Sequence, residues 1–164
     1  SKTVSNELIG VTWDIGNSIS VIDTPETFYD NTHNIIKNVH LKDYKVYKSK
    51  LGFSLVRCPL GEGYVDYHEV MKKISNNGNI INMSIELGAQ SPRQCDIGNQ
   101  MYWEKFSDIP IDKEHYLTFV NEVVDKDSAS YSKPEKTEDE MIESELNDIE
   151  KSVNNLKQIL EKIK

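Results

Sequence analysis

Leu8-Ile9-Gly10-Val11-Thr12-Trp13-Asp14 is the stretch on which the reading of this chain turns. It is short, largely apolar and rich in β-formers, and it stops at the turn-forming cluster Asp14-Ile15-Gly16-Asn17. That is the pattern of a buried strand ending at Asp14. Thr24-Pro25-Glu26-Thr27 then opens a helix. Thr24 is a favourable N-cap, Pro25 is tolerated at the first helical position, and Glu26 puts negative charge into the first turn. The helix runs through Phe28, Tyr29 and Thr32. It gives way to Ile35-Ile36-Lys37-Asn38-Val39-His40-Leu41, a second short strand that ends near His40.

Further on, Asp66 with Glu69 three residues later starts another helix, whose apolar stripe is Val70, Met71 and Ile74. Asn77-Gly78 ends it, and Ile80-Ile81-Asn82-Met83-Ser84-Ile85-Glu86 reads as a third strand. Strands separated by helices predict a parallel sheet covered by helices, an α/β class. Between them, residues Tyr44 to Tyr64 are irregular and read as one long loop. Gly61-Glu62-Gly63 within it reads as a backbone turn, because it lacks the third glycine and preceding strand of a nucleotide loop.

The segment Gln90 to Ile111 reads as a second loop, where Tyr102 and Trp103 either wall a sugar pocket or cover a rim. Tyr116, Phe119, Val120, Val123 and Val124 make one helix face. Thr137 and Glu140 form a capping box. The helix they start carries Ile142, Leu146, Ile149, Val153, Leu156, Leu160 and Ile163 at alternating steps of four and three. This heptad seam fits a helix packed on the sheet or a coiled-coil association segment. The expected organisation is residues 1–125 holding the strands and site loops, 126–136 a polar linker or insertion, and 137–164 the terminal helix.

The chain of 164 residues carries 27 acidic and 19 basic side chains, a net charge of -8, which argues against nucleic-acid or anionic-membrane partners. No apolar run approaches the ~18 residues of a membrane span, and Ser1-Lys2-Thr3-Val4 lacks the apolar core of a signal peptide. A cytoplasmic location is the expectation. Cys58 and Cys95 stand apart with no CxxC spacing, so both are expected to be reduced.

Each strand ends in a polar residue of the metal-binding kind: Asp14, His40 and Glu86. In parallel α/β folds ligands bind at that edge, so the three side chains are expected to converge. Singly each is an ordinary cap or ion-pair partner; together they offer two hard oxygen ligands and an imidazole. That set suits Mn²⁺, Mg²⁺, Co²⁺ or Zn²⁺ with positions left open for substrate oxygens. Glu86 is the candidate base for removing a proton next to a carbonyl. Lys42, Arg57 and Arg93 are candidates for an anionic substrate group, against the plainer reading of solvated loop charge.

Thr12-Trp13-Asp14-Ile15-Gly16-Asn17, Val39-His40-Leu41-Lys42-Asp43, Gly52-Phe53, Cys58-Pro59-Leu60-Gly61-Glu62-Gly63-Tyr64-Val65-Asp66 and Ser84-Ile85-Glu86, in that order, resemble the xylose-isomerase-like superfamily of sugar phosphate isomerases and epimerases. The resemblance covers about Leu8 to Ala89, with Thr137 to Ile163 similar to the family's closing helix. It implies the C-terminal part of a (β/α)8 TIM barrel, about three β/α units of a fold that typically takes ~250 residues, with a long C-terminal helix. It further implies that Asp14, His40 and Glu86 are three of four metal ligands, with manganese favoured. Glu86 would be catalytic in proton transfer through an enediolate, and Asn17, Lys42, Arg57 and Arg93 would contact a sugar or sugar phosphate.

The family's fourth ligand, a glutamate on an earlier strand, has no counterpart here. The chain is therefore expected to be a fragment that needs its N-terminal barrel half or self-association. Asn17 stands where ketose epimerases and related endonucleases usually present a histidine. The endonucleases' second Asp-x-His pair is absent from Lys42 to Tyr64, and Asp66-Tyr67-His68 falls in a capping box, so DNA repair is disfavoured. Two alternatives stand beside the isomerase or epimerase reading. One is a dehydratase or decarboxylase of a keto-sugar acid on the same scaffold; the other is a non-catalytic assembly module that uses the heptad helix.

Overall fold

The computed structural model describes residues 9–87, 91–124, 131 and 135–163. The first strand, β1 (Val11–Asp14), runs into a 3-10 segment (Ile15–Val21) and then α1 (Pro25–Thr32). Thr24 caps α1 as its sequence predicts, its side chain accepting from the Thr27 N–H. β2 (Ile36–Leu41) follows, and β5 (Asn82–Ile85) completes a parallel sheet in the order β1-β2-β5. The expected start of the first strand at Leu8 lies outside the described residues.

The two segments expected as loops contain a second sheet. β3 (Asp43–Ser49) and β4 (Gly52–Cys58) form an antiparallel hairpin, and β6 (Arg93–Cys95) pairs antiparallel with β4. Tyr44, Val46, Phe53 and Leu55 are all buried, so the hairpin has the alternation of a half-covered sheet. The lysines at 45, 48 and 50 break up that apolar signal in the sequence, which is why the segment reads as a loop.

This topology overturns the expected TIM-barrel portion. A barrel alternates each parallel strand with a crossover helix. Here β2 leaves through the single residue Lys42 into a hairpin arm, and the strand after β5 joins β4 instead of extending the parallel sheet. The described residues thus form two three-stranded sheets, one parallel and one antiparallel, with helices; no barrel portion is among them.

One core lies between the parallel sheet and the helices α2 (Tyr67–Ser75) and α5 (Glu138–Lys162). Trp13, Val39 and Leu41 point into it from β1 and β2, and Tyr67, Val70, Met71 and Ile74 from α2. Asp66 caps α2 through the His68 and Glu69 N–H groups. The second core packs the antiparallel sheet against Ile19, Ile22, Tyr116 and Val120, the last two from α4 (Lys113–Val123). Tyr102 and Trp103, on α3 (Gln100–Glu104), pack against this core too. The Trp103 indole N–H donates to the Ile97 carbonyl and the Tyr102 hydroxyl to the Ser20 carbonyl, so the pair stabilises the fold locally. Cys58 and Cys95 are free and buried.

The predicted capping box of α5 is present at Thr137 and Glu140. The heptad seam, however, is divided. Its C-terminal half is docked: Leu156, Leu160 and Ile163 pack against the first core beside the buried Ile159, and Ser152 accepts the Leu60 N–H at 3.1 Å while Asn155 donates to the Leu60 carbonyl. Ile142, Leu146 and Ile149 are exposed. Of the expected linker 126–136, only 131, 135 and 136 are among the described residues. Among the described residues no helix is long and apolar enough to cross a membrane.

Candidate metal centre

Parallel register builds the site. Asp14 pairs with His40 across β1 and β2, and His40 with Ser84 across β2 and β5, so these three lie in one row on one face of the sheet. Glu86 follows two residues after Ser84, and its N–H donates to the Leu41 carbonyl, carrying the ladder one step further. The opposite face holds Trp13, Val39 and Leu41 in the core, so the polar row is turned away from it. One ligand atom from each of Asp14, His40 and Glu86 lies within 4.8 Å of the others. His40 Nδ1 is 2.7 Å from Asp14 Oδ1 and 3.1 Å from Glu86 Oε2.

Those separations suit adjacent ligands of one ion, since bonds of ~2.1 Å at right angles put their donors ~3 Å apart. A second observation tests the fit. Asp14 Oδ1 is a buried acceptor with no hydrogen-bond partner, although it lies 2.7 Å from the His40 ring nitrogen. A cation bound between the two would occupy that acceptor and the imidazole nitrogen together. The residues present therefore fit a divalent ion.

The other oxygen of each carboxylate is held by the protein. Asn17 Nδ2 donates to Asp14 Oδ2 at 3.0 Å, and Asn17 Oδ1 in turn accepts from the Tyr44 hydroxyl at 3.1 Å and from Arg93 at 3.3 Å. Arg57 donates to Glu86 Oε1 at 2.9 Å and to the Glu86 carbonyl, while its guanidinium lies over the Tyr44 ring at 5.3 Å. Lys42, only 3% exposed, sits 2.6 Å from Glu86 Oε2 and 3.4 Å from Asp14 Oδ2. Burial works to raise the Glu86 carboxyl, but the hydrogen bonds and charges of Lys42 and Arg57 outweigh it and hold the group at about 2.

Lys42 is itself fixed by its neighbour. Asp43 is fully buried, and its carboxylate accepts four backbone N–H groups, from Tyr44, Gly61, Gly63 and Val65. Gly61-Glu62-Gly63 is thus a backbone turn, as its sequence suggests, and it wraps a buried acid. A Cβ on Gly63 would collide with Asp43 Oδ1, so glycine is required there by close approach. The Tyr67 hydroxyl donates to the Lys42 carbonyl at 3.0 Å and completes the anchor.

All seven residues singled out in the sequence, Asp14, Asn17, His40, Lys42, Arg57, Glu86 and Arg93, meet in one hydrogen-bonded and ion-paired network. Asn17, Lys42 and Arg57 touch the triad's carboxylates directly; Arg93 reaches Asn17 and Ser20 from β6. Tyr44 and Ser20 were not legible as site residues. The available signal for Tyr44 was the alternation Tyr44-Lys45-Val46, which marks a strand whose register with Arg57 brings the phenol under the guanidinium.

The chain is similar to a known enzyme over part of its length. A stretch of 85 residues is 27% identical to 3-oxo-isoapionate decarboxylase of Pectobacterium atrosepticum. The match covers 51% of this chain but 31% of the relative, so this chain spans about a third of the length of the curated relative it matches. No family model matches the chain, and no solved structure matches it significantly. Similarity to an enzyme is what these comparisons give; they do not reach the xylose-isomerase-like superfamily.

Proposed function

We propose that this chain carries the divalent-metal centre of an enzyme acting on the carbonyl and hydroxyl end of a sugar, with Asp14, His40 and Glu86 as ligands. The unsatisfied Asp14 Oδ1 beside His40 Nδ1 is the observation that carries this reading. A bound ion would supply a Lewis acid that polarises the substrate carbonyl and acidifies the neighbouring C–H. Asn17 and Arg57 each occupy one oxygen of a ligand carboxylate, which leaves Asp14 Oδ1 and Glu86 Oε2 turned toward the centre.

In the isomerase or epimerase reading, Glu86 accepts the proton from the carbon next to the carbonyl, leaving an enediolate, and returns it to the neighbouring carbon for isomerisation, whereas epimerisation needs a second acid on the opposite face. Held at about 2 by its two cations, Glu86 is a ligand first; proton transfer requires Lys42 to turn away from Oε2. A second reading, decarboxylation of a 3-oxo acid, is favoured by the name of the partial relative. In that reaction the bond to the carboxylate carbon breaks, its electron pair passes toward the carbonyl oxygen, CO₂ leaves, and a proton is then added to carbon.

Mn²⁺ titration followed by electron paramagnetic resonance tests the centre. The wild-type chain should bind one ion, and His40→Ala and Asp14→Asn should each weaken it at least ~10-fold. Absence of binding, or unchanged binding in both variants, would sink the metal reading. On candidate sugars, deuterium exchange without CO₂ release separates isomerisation or epimerisation from decarboxylation.

A further inference from the structure

The cations around the triad outnumber what a metal-loaded site needs. Two carboxylates, Asp14 and Glu86, face two cations, Lys42 and Arg57, and Arg93 stands behind them on Asn17. The set is balanced before any divalent ion enters. An added ion leaves two positive charges in excess, and the side chains closest to it cannot turn to bulk water: Lys42 is 3% exposed and Arg57 10%. Unpaired charge in such surroundings is costly, so an anion must accompany the ion.

From this we infer that Lys42 is a carboxylate-binding residue, and that the substrate of the centre is a hydroxy-keto acid whose carboxylate sits directly beside the chelating carbonyl, rather than a neutral sugar. This rests on the metal reading above. Its geometric basis is the reach of Lys42 Nζ, which lies 2.6 Å from Glu86 Oε2 and 3.4 Å from Asp14 Oδ2. A cation one hydrogen bond from the ligand atoms contacts a group one carbon away from the chelating oxygen. A phosphate at the far end of a sugar is out of its range. A bound ion would take over the charge of Glu86 and Asp14, which would leave the Lys42 ammonium free for a substrate carboxylate.

The matched pair 3-hydroxypyruvate and dihydroxyacetone tests this, since they differ in having a carboxylate or a hydroxymethyl group beside the same hydroxyketone. Binding to the Mn²⁺-loaded chain is read from Mn²⁺-induced broadening of the ligand proton resonances, which needs no turnover. The acid should bind at least ~10-fold more tightly, the factor expected of one charge-assisted hydrogen bond. Lys42→Met and Lys42→Gln should bring the two ligands to parity while Mn²⁺ is still bound, and Lys42→Arg should keep the preference. Equal binding of both ligands to the wild-type chain overturns the inference and leaves the metal centre standing, as does a full preference surviving in Lys42→Met. Failure of the wild-type chain to bind Mn²⁺ overturns both. Circular dichroism reports whether the variants fold; if neither neutral variant does, equal binding of the two ligands to the wild-type chain still overturns the inference, and loss of the preference in excess competing acetate, without loss of Mn²⁺, supports it.

Discussion

Replacing Asp43 with Asn should flatten the pH dependence of the protein's stability, at a cost of no more than about 3 kcal/mol at neutral pH. Asp43 Oδ2 accepts from both the Gly61 and Gly63 N–H groups, at 3.0 and 2.9 Å, and Oδ1 accepts from Tyr44 and Val65. An amide keeps one acceptor oxygen but turns an NH₂ toward one of these pairs of donors. Two hydrogen bonds to a charged group are lost, each worth about 1.5–3 kcal/mol, and part of the loss is offset because the buried charge disappears. The offset is measurable separately. Burial, opposed by the four N–H groups, raises the Asp43 carboxyl from the ordinary 3.8 to about 6. A raised acid holds its proton more tightly in the folded state. The stability linked to it is therefore fully present below pH ~4 and is lost as pH rises toward 6, by roughly 3 kcal/mol at ~1.36 kcal/mol per pH unit. Urea unfolding followed by circular dichroism from pH 4 to 7 reads both effects. Glu86 does not confuse the window: its carboxyl is lowered to about 2, so its contribution is present above the ordinary 4.5 and fades only as pH falls toward 2. An Asp43→Asn variant that keeps the full slope between pH 4 and 6 would refute the reasoning.

Ser152→Ala removes the acceptor for the buried Leu60 N–H and should cost about 1–3 kcal/mol in urea unfolding. The divided heptad predicts unequal alanine effects along one helix: Ile159→Ala should cost about 2–4 kcal/mol, while Leu146→Ala, at an exposed position, should stay within ~0.5 kcal/mol. Equal losses at the two positions would show that the N-terminal half of α5 is covered in solution.

Local chemistry is what the residues made legible. Thr24, Asp66 and Thr137 announce their helices because a cap hydrogen bond spans only two or three residues, and its partners are adjacent in the chain. The three parallel strands were legible for a similar reason: each is a short apolar run closed by a polar residue. Their ends, Asp14, His40 and Glu86, do meet. The hairpin was not legible, because the exposed Lys45, Lys48 and Lys50 dilute a signal that the paired arm at Phe53 and Leu55 restores only after folding.

By itself, then, the sequence determined which segments become helices, where three strands end, and which side chains stand at those ends. Only the tertiary structure decided that β3, β4 and β6 form a separate antiparallel sheet, that Lys42 and Arg57 close on Glu86, and that half of the heptad seam is left uncovered. Strand partner and direction, like the partner of a charge, are set by contacts between residues tens of positions apart. Their energies depend on burial that no local window of sequence contains.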